Sequence, residues 1–285
     1  MTQRVLLVLA AVGLFACTET PPPDPPPAVY ARIVSLAPNL TELVYAAGAG
    51  DTLVGVSAYS DYPAAALELP IIGDAFTVDQ EQLALLQPDA LLVWESGIPE
   101  HVVEDFRRVG YQVEIIRSRG LLDVALALRR IGELTGHEVQ ANAAADAFLA
   151  DLDGLRERYQ NEAAVSVFYQ VYQRPLYTIN GEHYVSELIE VCGGRNIFAD
   201  LDSLAPAVSV EAVIERNPEV MLASTDAGDG AFREWQRWPS LKAVSAKNQF
   251  IMPADEIGRA TPRLIGAGEA LCEALHTARS KRDGN

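Results

Sequence analysis

The chain is almost without lysine. Of its 22 basic residues only Lys242, Lys247 and Lys281 are lysines; the rest are arginine, set against 39 acidic residues for a net charge of −17. So acidic a surface repels phosphate backbones, which excludes general nucleic-acid binding. Long apolar runs are missing too. None approaches the roughly 18 residues of a membrane-crossing helix, so no membrane span is expected. Histidine is scarce, and His101, His137, His183 and His276 show no paired spacing. Tightly bound zinc or manganese wants clustered histidines and carboxylates, so no metal site is expected. The sequence has no Gly-x-x-x-x-Gly-Lys-Ser/Thr loop, no Gly-x-Ser-x-Gly elbow and no visible nucleophile–base pair. The expectation is a binding protein, with neither catalytic residues nor a resident cofactor. What remains is an ordinary globular composition, 49% hydrophobic and 21% charged over 285 residues, long enough for two domains of about 150 residues.

The amino terminus reads as an export signal. Arg4 precedes a short apolar stretch, Val5 to Phe15, that ends in Leu14-Phe15-Ala16-Cys17. A small residue and then cysteine directly after the apolar region resembles the bacterial lipoprotein box, with Cys17 as the lipidated residue. Residues 1–16 are thus expected to be the signal. Residues 17–29, with six prolines between Pro21 and Pro27, form a semi-rigid tether of polyproline II character. Signal and tether imply a protein held outside the cytoplasm, periplasmic or at the cell surface, and joined to its membrane by lipid alone. In such an oxidising compartment Cys192 and Cys272 are an even remainder, expected to pair; two buried free thiols are the alternative.

The folded part alternates apolar runs with helical patterns, the signature of βα units and parallel sheets. Candidate strands are Arg32–Leu36, Leu53–Ser57, Ala90–Trp94, Gln112–Ile116, Ser166–Val171, Leu176–Ile179, Val220–Ser224 and Gln249–Met252. The two halves echo each other. Glu81 to Trp94 aligns without a gap on Glu211 to Ser224, each reading helix, proline, acidic residue, strand; Thr41-Glu42-Leu43 echoes Ser186-Glu187-Leu188. The offsets are 130 and 145, so the first half carries about 15 extra residues, expected between Ser57 and Thr77. A duplicated α/β unit gives two lobes with central parallel sheets, 30–137 and 161–285. Residues 138–160, with Val139, Phe148, Leu152, Leu155 and Tyr159 on one stripe, form a long helix between them. A helix is a stiff link, so lobe motion should be small. Two lobes, the cleft between them, a signal and a tether describe an extracytoplasmic solute receptor.

Within that frame several residues stand out. Glu81 and Glu211 each follow an N-cap, Asp79 or Ser209, and each compensates a helix dipole. Their repeat-related positions also suit them to grip two arginines of a two-fold-symmetric partner. Tyr59, Phe76, Trp94 and Tyr177 lie at strand ends or in loops, where converging aromatics would wall a planar ligand. Asp255 and Arg259 occupy a loop before the last helix, as a local ion pair or as binding groups; Thr261 with Pro262 reads as that helix's cap. Gly48-Ala49-Gly50 ends a helix and is no dinucleotide fingerprint.

Five stretches carry a resemblance over about residues 31 to 278. They are Arg32-Ile-Val-Ser-Leu-Ala-Pro-Asn-Leu-Thr-Glu-Leu43, Val56-Ser-Ala-Tyr-Ser-Asp-Tyr-Pro63, Leu86-Gln-Pro-Asp-Ala-Leu-Leu-Val-Trp94, Glu190-Val-Cys-Gly-Gly-Arg-Asn-Ile-Phe198 and Arg259-Ala-Thr-Pro-Arg263. In these the chain resembles the periplasmic cobalamin-binding proteins of ABC vitamin importers, within the wider siderophore, haem and cobalamin receptor family. The resemblance implies two α/β lobes bridged by one helix, a monomer that carries a corrinoid to a permease dimer. It implies ligand contacts from Tyr59, Trp94, Tyr177, Asp255 and Arg259, with permease docking by Glu81 and Glu211 and a disulfide between Cys192 and Cys272. Two positions where the family can carry a cleft tryptophan are Ala75 and Ala205, and Phe76 stands beside the first. An iron–siderophore or haem is the alternative ligand; it asks for basic groups, of which this acidic chain is expected to offer few near the cleft.

Overall fold

A computed structural model describes residues 29–74, 77–227 and 230–283. The signal segment, Cys17, most of the tether, and Ala75 with Phe76 lie outside the described residues. The first half runs β1 (Ile33–Ser35), α1 (Pro38–Ala46), β2 (Leu53–Val56), α2 (Gln80–Leu86), β3 (Ala90–Trp94), α3 (Glu100–Arg108), β4 (Val113–Ile116) and α4 (Leu121–Thr135). A long helix, α5 (Glu138–Tyr159), follows. The second half runs β5 (Val165–Gln170), the hairpin β6 (Tyr172–Gln173) and β7 (Leu176–Tyr177), α6 (Tyr184–Val191), β8 (Gly194–Asn196), α7 (Val210–Arg216), β9 (Val220–Ser224), α8 (Lys242–Ser245), β10 (Gln249–Met252), α9 (Ala254–Ile257) and α10 (Leu264–Asp283).

The two larger sheets are parallel throughout, ordered β2-β1-β3-β4 and β8-β5-β9-β10. The orders coincide when β1 is matched to β5, β2 to β8, β3 to β9 and β4 to β10, as duplication requires. β3 and β9 are buried nearly throughout, and their unbroken apolar runs are what a two-sided parallel sheet selects.

Three sequence expectations need correction. Leu176–Ile179 is not a strand of the second parallel sheet; only Leu176 and Tyr177 are extended, and they pair antiparallel with β6. The fourth strand is Gly194–Asn196, whose composition hides it. Buried Asn196 holds it: Nδ2 donates to the Ile179 carbonyl (2.9 Å) and to Ser186 Oγ (2.8 Å), while Oδ1 accepts from the Phe198 amide (2.9 Å). Next, the extra length of the first half is not confined to 57–77. The β2–α2 connection spans 57–79 and its counterpart 197–209, 23 residues against 13; a 3-10 turn, Gly50–Thr52, ahead of β2 supplies most of the rest. Finally, Val139 does not belong to the buried stripe of α5, being 81% exposed. Ala141, Ala145, Phe148, Leu152 and Leu155 are buried instead, because the small alanines let α4 approach; Gly132 of α4 abuts Ala141.

The main core runs through both halves, from Ile33 and Leu128 through Phe148 to Leu188 and Leu271. Two smaller clusters cover the other sheet faces, around Leu83, Leu91 and Phe106 and around Phe168, Val213 and Trp235. The Cys192–Cys272 disulfide lies in the shared core and ties the end of α6 to α10, so the two thiols are not free. No helix among the described residues is long and apolar enough to cross a membrane.

Candidate functional site

Open parallel sheets present binding groups beyond the carboxyl ends of their strands. In the first sheet the segments after β1, β2 and β3 meet around a cavity of about 400 Å³ lined by Leu36, Ser57, Tyr59, Asp74, Trp94 and others. Tyr59 and Trp94 are therefore brought together. Tyr59 is 79% exposed and has φ +66°, an uncommon backbone for a bulky residue that surrounding contacts must hold. Behind it, Thr41 Oγ1 bonds to the hydroxyls of Ser35 (2.9 Å) and Ser60 (3.0 Å), and Ser60 in turn to Ser57 (3.2 Å); all four are buried. In front, Arg259 Nη2 donates to the Tyr59 carbonyl at 3.1 Å. Trp94 packs over Gly97, where a Cβ would sit 2.9 Å from the indole; glycine admits that close approach.

Arg259 comes from the second half, between α9 and α10, and is the hub of a charged cluster that crosses the molecule. Its Nη1 donates to Asp61 Oδ1 (2.7 Å) and Glu42 Oε1 (2.8 Å), and its Nη2 pairs with Asp255 Oδ1 (3.0 Å). The local Asp255–Arg259 pair is present, then, but as one spoke of four. Arg263 Nη1 donates to Glu42 Oε1 (3.2 Å) and Thr261 Oγ1 to Glu42 Oε2 (3.0 Å). Glu42 is 3% exposed; a carboxylate so buried needs such partners. The hydrogen bond from Arg259 holds the Asp61 carboxyl below its usual range. The regular turns of α10 start at Leu264, and ahead of them the Thr261 hydroxyl accepts from the Arg263 amide (3.3 Å), as an N-cap does, while donating to Glu42. A second cavity of about 400 Å³ flanks the cluster, lined by Glu42, Tyr45, Tyr62 and Arg263.

Tyr177 stands apart. It lies on β7 opposite Tyr172, with a bridge to Ala207, and lines neither cavity described above. Exposed Ala205 offers no aromatic wall. Beyond β5 and β9 is a larger cavity of about 610 Å³, lined by Tyr172, Arg174, Asp226, Arg233, Glu234, Arg237 and others. Three arginines gather there beside Asp226, two of them paired with Glu234 (Arg174 at 3.5 Å, Arg237 at 3.9 Å); composition could not show it, because a net-acidic chain can still gather its arginines.

Glu81 and Glu211 are exposed in the first turns of α2 and α7, and their carboxylates make no hydrogen bond or ion pair with the described residues. The N-caps are as the sequence indicates: Asp79 Oδ1 accepts from the Glu81 and Gln82 amides (3.0 and 2.9 Å), and Ser209 Oγ from the Ala212 amide (3.1 Å). No group of three or more His, Cys, Asp or Glu among the described residues is placed to hold a metal. Sequence reasoning missed Glu42 and Asp61 as site residues. The signal for Glu42 was there: a charge flanked by Leu40, Leu43 and Val44 on a short helix is one that expects a buried partner.

Over residues 33–256 the chain matches the periplasmic binding protein family. It is 34% identical over 277 residues to the vitamin B12-binding protein of Vibrio cholerae, covering 96% of this chain and 100% of that one. With the vitamin B12-binding protein of Vibrio campbellii it shares 35% over 253 residues, 88% and 91% of the two chains. Its fold matches the crystal structure of the periplasmic vitamin B12 binding protein BtuF of Vibrio cholerae with a TM-score of 0.80 at 35% identity, covering 89% of this chain and 99% of that one. A haem-binding protein of Roseiflexus, at 22% identity and TM-score 0.76, shares the fold. With two α/β halves joined by a helix, and a family match that runs from residue 33 to residue 256 and so spans most of the chain, this chain belongs to the periplasmic binding protein family.

Proposed function

We propose that the protein captures a corrinoid, cobalamin in the first instance, between its lobes and delivers it to an ABC importer. The observation that carries this reading is the meeting of Tyr59 and Trp94 around one cavity, with Arg259 and Asp255 from the other half joined to it through the Tyr59 carbonyl. Flat apolar faces beside a few polar groups suit a large macrocycle fringed with amides. The relatives named for vitamin B12 binding support the same reading. Tyr59, Trp94 and Tyr177, with Phe76, take the apolar contacts; Asp255 and Arg259 take the polar ones. Glu81 and Glu211, exposed and repeat-related, dock a permease dimer. Cys17 carries the lipid that keeps the receptor at its membrane. The protein has no enzymatic step of its own and works as a monomer.

A second reading rests on the cavity lined by Arg174, Arg233 and Arg237, which suits an anionic ligand such as haem or a ferric siderophore. One experiment decides between them. The purified protein is titrated by calorimetry with cyanocobalamin, cobinamide, haem and a ferric siderophore. Corrinoid binding at micromolar concentration or tighter is expected, with the other two ligands weaker. No corrinoid binding in that range refutes the first reading, and preferential haem or siderophore binding establishes the second. Acylated Cys17 in the membrane fraction, read by mass spectrometry, is the matching test of the anchor; a mature amino terminus elsewhere without lipid mass refutes it.

A further inference from the structure

The echo of Thr41-Glu42-Leu43 by Ser186-Glu187-Leu188 has a structural counterpart. α1 and α6 are the first helices of the two halves; α4 and α10 are the helices that follow the matched edge strands β4 and β10. Glu42 on α1 reaches the lead-in to α10, bonding Thr261, Arg259 and Arg263. Glu187 on α6 reaches the first residue of α4, its Oε2 accepting from the Leu121 amide at 2.8 Å. Each half thus sends one glutamate of its first helix across to the start of the other half's last helix. We propose that Glu42 and Glu187 are a duplicated pair of clasps that set the angle between the lobes, and that Glu42 is in addition the positioning residue for Arg259 in the cleft.

The two clasps differ in what they need. Glu42 is buried between two guanidinium groups and a hydroxyl, so its charge is required: removing it takes away their buried counter-ion and leaves Arg259 only the exposed Asp61 and Asp255, and Arg263 only Glu256. Glu187 meets a backbone amide at a helix start, with no arginine within ion-pair distance among the described residues. An acceptor oxygen is enough there, neutral or charged, and burial pushes this carboxyl up from its ordinary value. Gly120 is part of the second clasp. A Cβ at that position would lie 2.7 Å from Glu187 Oε1, and the flexible carboxylate, not the backbone, would give way. The local consequence for Glu42 is large because Arg259 also holds the Tyr59 carbonyl and Asp61. Losing Glu42 unseats the guanidinium that fixes the Tyr59 loop.

The ligand arm of the test rests on the corrinoid reading; the exchange arm does not. Amide hydrogen exchange by mass spectrometry is followed in full-length wild type, Glu42→Gln, Glu187→Gln, Glu187→Ala and Gly120→Ala, with circular dichroism as the check of folding. Glu42→Gln should raise exchange in residues 59–63 and 259–266 and lower cyanocobalamin affinity by about tenfold or more, the worth of one charge-assisted bond. Glu187→Gln should leave the start of α4 as protected as in wild type, whereas Glu187→Ala and Gly120→Ala should both expose the Leu121 amide. If Glu42→Gln does not fold, Thr261→Val removes one Glu42 bond along with its own bond to the Arg263 amide and keeps the ion pairs; raised exchange in residues 59–63, away from the substituted site, is then the expected reading. Unchanged exchange in both segments overturns the Glu42 clasp. Equal effects of Gln and Ala at position 187 overturn the acceptor argument. Wild-type protein that ignores corrinoids refutes the proposed function while leaving the exchange comparison intact.

Discussion

Acidification should weaken this protein through one histidine before it reaches the charges around Arg259. His183 is the N-cap of α6: its Nδ1 accepts from the Val185 amide at 3.1 Å, and its ring lies 4.3 Å from that of Tyr184 at an interplanar angle of 34°. An acceptor nitrogen carries no proton, so protonating Nδ1 destroys the cap. Burial lowers the imidazole pKa from 6.5 to about 4. The sign follows from where each state binds its proton. Above pH 6.5 both folded and unfolded rings are neutral, and the full stability is present. As pH falls from 6.5 towards about 4, the unfolded chain takes up a proton that the folded chain refuses, and stability drops by about 1.4 kcal/mol per unit. The whole window is worth at most about 3.5 kcal/mol, after which both states are protonated and the loss stops. The perturbation that isolates this is His183→Asn, which keeps a good N-cap acceptor and does not titrate. Urea denaturation of both proteins at pH 7, 6, 5 and 4 cancels the carboxylates common to the two. The stability of wild type should fall relative to His183→Asn across that range and level off at its lower end. Parallel curves, or an NMR titration of His183 near 6.5, would refute the reasoning.

Three further outcomes are expected. Replacing Cys192 and Cys272 by alanine opens a constraint 80 residues apart in sequence, worth up to about 4.5 kcal/mol by chain entropy; denaturation should show a loss of several kcal/mol at unchanged ligand affinity, and a shift below about 1 kcal/mol contradicts it. Asp61→Asn should cost about 1 kcal/mol or less, because the carboxylate is half exposed. The Asp61 pKa is depressed, so its contribution is complete above about pH 4 and fades only as pH falls lower; a wild-type advantage that already shrinks between pH 7 and 5 contradicts this. The double change Glu81→Gln and Glu211→Gln should leave ligand affinity intact and cut ligand-stimulated ATP hydrolysis by a reconstituted importer by a factor of ten or more, as expected for two charge-assisted contacts of about 1.5–3 kcal/mol each. Unchanged hydrolysis would return both residues to helix-dipole compensation alone.

What was legible in the chain is what is settled within a few residues. Ala90–Trp94 and Val220–Ser224 are strands with the bounds their apolar runs indicate, because each follows a proline stop and is buried on both faces. Asp79 and Ser209 cap their helices because the bond closes within three residues. Duplication was readable from an ungapped offset, and it forces two sheets of the same order. What only the tertiary structure decided depends on partners far away along the chain. Gly194–Asn196 has no strand signature; it is a strand because Asn196 bonds Ile179 and Ser186 and lies beside β5. Val139 looks like a core residue in the helical pattern, but α4 packs against the face that carries Ala141 and Ala145. The arginines of the large cavity are scattered from 174 to 237 and meet only where β5 and β9 end. Glu42 and Arg259 are 217 residues apart. The cost of burying a carboxylate is met by whichever cation the fold brings opposite it, and no local pattern on α1 can name a residue of the other half of the chain.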